Sequence, residues 1–253
     1  MAKSITFIGN GKMAFALAKG LSNTHAIEVI GRSSHALESF ENSLGKPIQK
    51  TLYADANINA KTVVLCVKPA NLSEIAPYLK GRASQLYSVL AGIPIESLRA
   101  VSSDTYCRAM PNLAAESGAS MTSLVGDESI KSDAVALFET IGKTLWLGSE
   151  KELDIATALA GSGPAYLALI AEALCDGAVR EGLKRDDAMV LMRGLFEGFG
   201  TLIQTIHPAL LKDNVMSPGG TTAAGYGALE KGKVREGCME AIRAAHERAK
   251  GLK

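Results

Sequence analysis

The chain has 253 residues, of which 47% are apolar, and its formal net charge is +1 at pH 7. A chain of this length and composition can bury a large core, and its length fits two domains better than one. Acidic and basic residues are interspersed, which argues against a nucleic-acid surface or a basic membrane-binding face.

Four cysteines, Cys66, Cys107, Cys175 and Cys238, are spaced tens of residues apart. None stands at metal-ligand spacing from another Cys or a His, so the sequence predicts neither a metal site nor a disulfide framework. Reduced thiols and the lack of an apolar signal segment lead us to expect a cytoplasmic protein. The most apolar region, residues 165–175, contains an acidic residue, and we expect it to be too short to span a bilayer.

Near the amino end, residues 5–8 form a short apolar run that predicts a buried strand. The run leads directly into Gly9-Asn10-Gly11-Lys12-Met13-Ala14, after which apolar residues recur at helical spacing. A strand, a G-x-G-x-x-A turn and a helix in this order are typical of a dinucleotide-binding site. In such a site Gly9 makes the tight turn, Gly11 lets a pyrophosphate approach the backbone, and Ala14 lets the helix pack closely on the strand.

The end of the second predicted strand, residues 27–30, distinguishes between the two nicotinamide cofactors. An NAD-binding enzyme would place an acidic residue about 20 positions after the glycines, where it holds the ribose hydroxyls. Here that place holds Gly31-Arg32-Ser33-Ser34, and Glu28 lies too early, inside the strand. A guanidinium and two hydroxyls favour a 2′-phosphate, so we expect NADPH, with NADH as the second choice. The alternative is that Arg32 is only an exposed loop residue.

Strands and helices alternate as far as residue 147. A helix is predicted over 34–44 and strands over 63–67, 85–90 and 104–108, and the segments 117–124, 130–141 (a helix) and 144–147 complete the domain. Two of these strands lead into Lys68-Pro69 and Ala91-Gly92, at the carboxyl edge where open α/β sheets bind ligands. The alternation predicts a doubly wound parallel sheet of the Rossmann type over residues 1–150.

Beyond residue 148 the strand pattern stops, and residues 151–253 are predicted to form an all-helical domain that serves dimerisation and substrate binding. Its first helix is broken by the small residues of 160–164 and resumes at 165, and its last helix covers 233–250. A long helix begins at Asp186, ends at His207-Pro208 and is apolar nearly all round.

Two glycines of that long helix, Gly194 and Gly198, each cost about 1 kcal/mol relative to Ala. Close approach of a second helix backbone would offset this cost. A helical tail this apolar exposes too much surface in a single chain, so we infer an interlocked homodimer.

The stretch Ser217-Pro218-Gly219-Gly220-Thr221-Thr222 is predicted to open a late helix. Pro218 presets φ for a helix start, and the two glycines let the backbone approach a ligand closely. Free N–H groups and the positive end of the helix dipole make such a place an anion site that suits a carboxylate. The alternative is a serine-capped helix without a ligand.

The glycine turn, Val67-Lys68-Pro69, 108–112, 161–166 and 213–222 occur in this order along the chain. Together they resemble pyrroline-5-carboxylate reductase over essentially the whole sequence. The resemblance implies an NAD(P)H-dependent oxidoreductase that reduces the cyclic imine L-1-pyrroline-5-carboxylate to L-proline, the last step of proline biosynthesis. It also implies homodimers, which many members assemble into larger rings such as decamers.

The resemblance also assigns residues to the two ligands. The cofactor contacts it implies are the glycine turn, Ser33, Cys66 to Pro69, Leu90-Ala91-Gly92 and Asn214, and the substrate contacts are Thr221 and Thr222. From the anion-site argument we add Ser217, Gly219 and Gly220 to the substrate contacts, and Arg32 to the cofactor contacts. We expect the amides of 220–222 to hold the carboxylate. Thr222 is expected to act as the catalytic residue, its hydroxyl orienting an imine that arrives protonated, because a threonine hydroxyl is a poor proton source.

Several positions leave their roles open. Tyr53 stands where the family carries a cofactor-contacting Asn, which Asn57 replaces if the loop is shifted. Ala70 and Thr205 stand where many or some members carry Gln and Glu. Lys68 either lines the cofactor pocket or solvates a strand end, and Arg108 either bridges the domains or caps the cofactor site.

Two other functions fit parts of the pattern. A related two-domain NADPH-dependent reductase of the hydroxyacid-dehydrogenase or imine-reductase type would aim an acid such as Lys184 or Lys212 at the reacting atom. A nucleotide-sensing dimer without catalysis is typical of chains whose glycine or Ser-Pro-Gly-Gly stretches have degenerated, and here both are intact.

Overall fold

The computed structural model describes residues 4–250, and these fall into two compact units. The first unit comprises the described residues up to Pro164 and from Ala244 onward, and the second comprises Ala165–Arg243. The predicted domain boundary at residue 150 precedes this division, because Leu153, just beyond that boundary, packs with sheet residues of the first unit. The boundary between a cofactor-binding domain and a dimerisation domain therefore remains a prediction.

An eight-stranded sheet forms the centre of the first unit within the described residues. Its strands are β1 (Ser4–Ile8), β2 (Ala26–Gly31), β3 (Gln49–Leu52), β4 (Thr62–Leu65), β5 (Gln85–Ser88), β6 (Tyr106–Met110), β7 (Ser120–Gly126) and β8 (Gly142–Trp146).

The strands lie in the order β3-β2-β1-β4-β5-β6-β7-β8. All neighbouring strands are parallel except β6 and β7, which run antiparallel. The prediction of a Rossmann-type doubly wound sheet with mostly parallel strands is confirmed. β7 and its parallel neighbour β8 run opposite to the other six strands. The chain order reverses between β1 and β4, and open sheets of this kind bind dinucleotides at such a switch point.

The helices in chain order are α1 (Lys12–Leu21), α2 (Ser34–Leu44), α3 (Leu72–Ile75), α4 (Ile95–Leu98), α5 (Lys131–Glu139), α6 (Glu150–Ala156), α7 (Gly163–Arg180), α8 (Arg185–Leu202), α9 (Pro208–Val215), α10 (Thr221–Lys231) and α11 (Val234–Lys250). Short 3₁₀ turns punctuate the first unit, including Tyr53–Asp55, Pro69–Asn71 and Leu113–Ser117.

Two hydrophobic clusters cover the two faces of the sheet. Phe7 and Val64 lie in the cluster that includes residues of α1, α2 and α5. The alternating neighbours Ile8, Val63 and Leu65 lie in the other cluster, with residues of α3 and α4. Burial on both faces explains why these strands are continuous apolar runs instead of alternating ones.

The predicted helix break at residues 160–164 is wrong. α6 continues through a π-helical turn, Thr157–Gly161, into α7. Pro164 has no N–H to donate to the carbonyl of Ala160, four residues earlier, and the Asn112 Nδ2 donates to that carbonyl instead at 3.1 Å. The proline is therefore accommodated in the first turn of α7, where it costs little.

The resulting helix, Glu150–Arg180, has 31 residues and a mean hydropathy of 1.4 over its most apolar window. By length and composition alone it could cross a membrane, so the expectation of a region too short to do so is wrong. These two criteria are weak grounds for membrane insertion, since the core helices of soluble proteins also meet them.

α8 ends at Leu202, earlier than predicted, and Pro208 opens α9 with His207 as its cap. Several large apolar side chains of α8 are exposed in this chain: Val190, Leu191 and Leu195 are between 59% and 66% accessible. An apolar surface of this kind is typical of a protein–protein interface.

Candidate functional site

The turn after β1 requires glycine at its first position. Gly9 has φ of +104°, and a Cβ built there would lie 2.9 Å from the Cys66 carbonyl oxygen. The Gly9 N–H donates to the Ile30 carbonyl at 2.8 Å, so the turn is held between β4 and β2 at the switch point. Any side chain here would clash with backbone and strain the turn.

Gly11 is the N-cap of α1, and a Cβ built on it would meet nothing within 4 Å. The space above it is open, and the first-turn amides of α1 have no helical partners. Lys12 is exposed and Met13 partly so. Open backbone, free N–H groups and the positive helix end together fit a pyrophosphate.

A cavity of about 650 Å³ opens beside this turn. It lies between the turn and α2, and its lining includes Asn10, Lys12, His35 and Ser39. His35 and Ser39 were not among the predicted site residues. Their positions become visible only once α2 is placed beside α1, so no local sequence signal could have found them.

The other predicted cofactor segments follow β4 and β5. Because β1, β4 and β5 are parallel neighbours, their carboxyl ends meet at one edge of the sheet. Cys66 donates its N–H to the Ile8 carbonyl at 2.9 Å and leads into Val67, Lys68 and Pro69. The side chain of Lys68 is exposed at this edge, whereas burial raises the pKa of the Cys66 thiol and keeps it uncharged.

The loop after β5 completes this edge. Leu90 is buried, Ala91 is half-buried, and Gly92 has φ of +74°. The Leu90 N–H donates to the Ser88 Oγ at 3.3 Å, which holds the start of the loop against the strand end. The structure thus brings the loop to the same edge as the glycine turn.

Arg32 and Ser33 lie just past the end of β2 at the same edge. The Arg32 Nη2 lies 3.1 Å from the Glu74 Oε1, and both side chains are largely exposed. Ser33 is the N-cap of α2, but its hydroxyl makes no capping bond. A guanidinium in an exposed ion pair, beside a hydroxyl that does not cap its helix and beside a helix N-terminus, suits a phosphate.

Asn57 does not replace the missing family Asn. Its Oδ1 accepts from the Asn59 N–H at 2.9 Å, and its backbone bridges to Lys80. Asn57 and Lys80 precede β4 and β5, so they lie toward the amino edge, opposite the cofactor segments. Tyr53 follows β3 at the carboxyl edge, where burial raises the pKa of its hydroxyl and the Arg32 charge opposes that rise.

Arg108 is fully buried in β6 and acts within the first unit. Its Nη1 lies 2.8 Å from the Glu150 Oε2, and its Nη2 lies 2.9 Å from the Asp154 Oδ1. Its Nε has no hydrogen-bond partner among residues 4–250. Arg108 therefore joins β6 to α6, within the first unit but across the boundary predicted at residue 150. Which of its two predicted roles it serves stays a prediction.

The late stretch forms a turn followed by a helix. Gly219 has φ of +68°, and the Gly220 N–H donates to the Ser217 carbonyl at 3.0 Å. Proline at the second position and a left-handed glycine at the third are typical of a type II turn. α10 begins at Thr221 with Gly220 as its N-cap. Ser217 is thus not the cap, and Pro218 is not the first helical residue.

This geometry corrects the predicted carboxylate clamp. The Gly220 amide already donates within the turn, so it is not free for a ligand. The amides of Thr221, Thr222 and Ala223, in the first turn of α10, have no helical partner. Thr221 is exposed and Thr222 is half-buried, and Asn214 is exposed near the end of α9.

A polar cluster that was not predicted from the sequence lies in the second unit. The Lys212 Nζ lies 5.3 Å from the centre of the Tyr226 ring, and the Tyr226 hydroxyl bonds Glu230 and, at 2.6 Å, the Arg235 Nη2. The i,i+4 spacing of Tyr226 and Glu230 was the available signal. A hydrogen bond to Asp213 raises the pKa of Lys212, so this lysine stays charged and is a poor general acid.

Two family profiles match the chain. Residues 150–252 match the profile described as pyrroline-5-carboxylate reductase dimerisation, and residues 4–92 match one described as NADP oxidoreductase, coenzyme F420-dependent. The first match covers the helices with exposed apolar surface, and the second covers the glycine turn and the segments after β2, β4 and β5.

Relatives that align with nearly the whole chain share one name. The pyrroline-5-carboxylate reductase of Helicobacter pylori is 33% identical over 98% of this chain and 98% of the relative. The pyrroline-5-carboxylate reductase of Synechocystis is 36% identical over 100% of this chain and 99% of the relative. The crystal structure of Plasmodium falciparum pyrroline carboxylate reductase with NADP bound superposes with a TM-score of 0.83 at 28% identity, covering 99% of this chain and 98% of that one.

Proposed function

The chain belongs to the pyrroline-5-carboxylate reductase family, and on that premise we propose that it reduces L-1-pyrroline-5-carboxylate to L-proline with NADPH, completing proline biosynthesis. The imine carbon gains a hydride, which bound NADPH would supply, and the C=N electron pair moves to the ring nitrogen. One proton from solvent balances the reaction, and we propose that it is already on the imine nitrogen when the substrate binds.

The observation that carries the cofactor assignment is the turn at Gly9 and Gly11. Its tight first glycine, open second glycine and free helix amides fit a pyrophosphate at the switch point of the sheet. Bound NADPH supplies the hydride, and Arg32 and Ser33 hold its 2′-phosphate. We assign Cys66 to Pro69 and Leu90 to Gly92 to the nicotinamide side because they follow the strands next to the turn.

For the substrate we assign the start of α10. The free amides of Thr221 to Ala223 bind the carboxylate, aided by the positive helix end. The Thr222 hydroxyl accepts a hydrogen bond from the protonated ring nitrogen and fixes the imine plane. A neutral hydroxyl suits this orienting role, whereas a general acid would need a pKa near the working pH.

We propose a homodimer formed through the exposed apolar surface of the second unit. The exposed α8 side chains and the match to a dimerisation profile support this assembly. We propose further that such dimers assemble into a ring. We also propose a cytoplasmic location, where thiols such as that of Cys238 stay reduced. Light scattering across a dilution series should give a dimer or a multiple of it, and a monomer at micromolar concentration would refute the assembly.

The proposed reaction is tested by following loss of NADPH absorbance with pyrroline-5-carboxylate as substrate. We expect oxidation that depends on the imine, yields proline in equal amount, and prefers NADPH over NADH. The control substrates are 2-oxo acids, which a hydroxyacid-dehydrogenase-type enzyme would reduce. Turnover of a 2-oxo acid without turnover of the imine would refute the proposal.

A further inference from the structure

Glu150 connects a buried arginine to the loop that follows β5. Its Oε2 accepts a hydrogen bond from the Arg108 Nη1 at 2.8 Å and another from the Ile95 backbone N–H at 3.0 Å. Ile95 is the first residue of α4, and the loop before it contains Ala91 and Gly92. A single carboxylate oxygen on α6 thus fixes the end of a loop assigned to the cofactor.

Charge balance alone does not explain this carboxylate. Arg108 is 0% exposed and already pairs with Asp154, whose side chain is 3% exposed. One buried carboxylate neutralises one buried guanidinium, so a second is not needed for neutrality. Glu150 is 32% exposed, and its distinguishing contact is the Ile95 N–H. Its contribution is therefore to orient the loop.

The end of the loop also packs on the core through Ile93 and Ile95, and the Pro94 carbonyl accepts the Ser97 and Leu98 N–H groups at 3.0 and 3.2 Å. The Glu150 carboxylate adds a contact from a different helix, to the Ile95 N–H. Pro94, the residue before α4, has no N–H to donate and makes no side-chain cap. Within the loop, the Ile93 N–H donates to the Leu90 carbonyl at a long 3.4 Å, and Gly92 is in the left-handed region. Because glycine adopts many conformations, a contact from α6 helps to hold this segment in one of them.

We propose that Glu150 is a positioning residue for hydride transfer: anchored by Arg108, it fixes the Ala91–Ile95 loop on which the nicotinamide ring rests. This inference depends on the proposed function, since it takes the loop to be a cofactor contact. Loosening the loop should broaden the placement of the ring, and a displacement of about 1 Å can cost on the order of 10²-fold in rate. The residues assigned to the pyrophosphate and the 2′-phosphate lie elsewhere on the edge, so cofactor affinity should change little.

The test compares Glu150→Ala, Glu150→Gln and Glu152→Gln with the wild type. Glu152 is the matched control, since it lies on the same helix and its Oε2 accepts a backbone N–H, from Gly148 at 2.8 Å, away from the loop. Hydrogen exchange of the 91–98 peptide without ligand reports loop fixation directly. NADPH titration by fluorescence gives affinity, and steady-state kinetics give kcat and KM.

For Glu150→Ala we expect at least about tenfold faster exchange across the loop and about tenfold lower kcat, with NADPH affinity within about threefold of wild type. Glu150→Gln keeps one acceptor oxygen but loses the charge facing Arg108. Its loop exchange rate and kcat should therefore fall between those of the wild type and of Glu150→Ala. Glu152→Gln should match the wild type in loop exchange, kcat and NADPH affinity. If the alanine variant does not fold, the glutamine variant decides by the same readouts.

Wild-type loop exchange in both Glu150 variants, or an equal effect in Glu152→Gln, would overturn the inference. So would a loss of NADPH affinity as large as the loss of kcat. The exchange measurement needs no substrate, so it separates this inference from the proposed function. Absence of imine reduction in the wild type would refute the function, while loop exchange would still show whether Glu150 fixes the loop.

Discussion

Gly9 lies so close to Cys66 that a Cβ on the glycine would stand 2.9 Å from the cysteine carbonyl oxygen. That contact joins the turn after β1 to the end of β4 and holds the turn at the switch point. Gly11, two residues on, faces open space instead. The two glycines are therefore needed for different reasons, one for the fold and one for the ligand.

This contrast predicts different defects for two alanine substitutions. Gly9→Ala should lower the free energy of unfolding by about 2–3 kcal/mol, because it adds a backbone clash to an unfavourable φ. Gly11→Ala should unfold like the wild type but bind NADPH at least about tenfold more weakly, since the methyl group blocks the pyrophosphate. Urea denaturation and NADPH titration measure both. Normal NADPH binding by a stable Gly11→Ala variant would remove the turn from the cofactor site.

Arg32 is predicted to set the preference for NADPH. Arg32→Ala should weaken NADPH binding by about 1.5–3 kcal/mol and leave NADH binding nearly unchanged, because only NADPH carries the 2′-phosphate. Glu74→Gln is the control, since it removes the ion-pair partner of Arg32 and should preserve or improve NADPH binding. An equal loss of affinity for NADPH and NADH would mean that Arg32 contacts a part of the cofactor that both molecules share.

Thr222→Val removes the hydroxyl while keeping the shape of the side chain. We expect kcat to fall about 10- to 100-fold, the effect of losing one hydrogen bond to a charged group, with NADPH affinity unchanged. Thr201→Val is a suitable control, because the Thr201 hydroxyl donates to the Glu197 carbonyl of its own helix. Unchanged turnover in Thr222→Val would exclude the hydroxyl from the mechanism.

Alkaline pH should destabilise the first unit through its buried acids. Burial raises the pKa of the Cys107 thiol from 9.0 to about 12, and it also raises the pKa of Tyr87. The folded chain thus holds these protons more tightly than the unfolded chain, so their stabilisation is intact below about pH 9 and is lost as pH rises toward 12. Each group contributes a slope of at most about 1.4 kcal/mol per pH unit.

Urea denaturation at several pH values between about 8 and 11 measures this slope. Cys107→Ala should flatten it, whereas Cys238→Ala, at an exposed thiol, should leave it as in the wild type. An unchanged slope in Cys107→Ala would contradict the assignment of that proton.

Sequence patterns predicted the elements whose boundaries have local causes. α2 begins and ends where predicted, at residues 34 and 44, because extended Ser33 precedes it and left-handed Gly45 stops it. The strand, glycine turn and α1 were also predicted, since two buried faces produce continuous apolar runs. β3 was missed because this edge strand, Gln49–Leu52, is polar and partly exposed.

Features set by distant contacts were not predictable. The antiparallel direction of β7 depends on the short connection after β6, where Asn112 caps the 3₁₀ turn Leu113–Ser117. The helix break expected at 160–164 is absent, because Asn112 takes the carbonyl that Pro164 leaves unpaired. At the candidate site the sequence predicted a helix start after the Ser-Pro-Gly-Gly stretch, and α10 begins there at Thr221. Only the coordinates show that the Gly220 amide is already bonded, and anion binding there stays a prediction.

The most direct measurement follows deuterium from the cofactor into the product. NADPH deuterated at both C4 positions is incubated with the wild-type protein and pyrroline-5-carboxylate, and the proline formed is examined by mass spectrometry and NMR. Proline with one deuterium on its δ-carbon, the former imine carbon, is the predicted result. Unlabelled proline, or no proline although NADPH binds, would contradict hydride transfer to the imine.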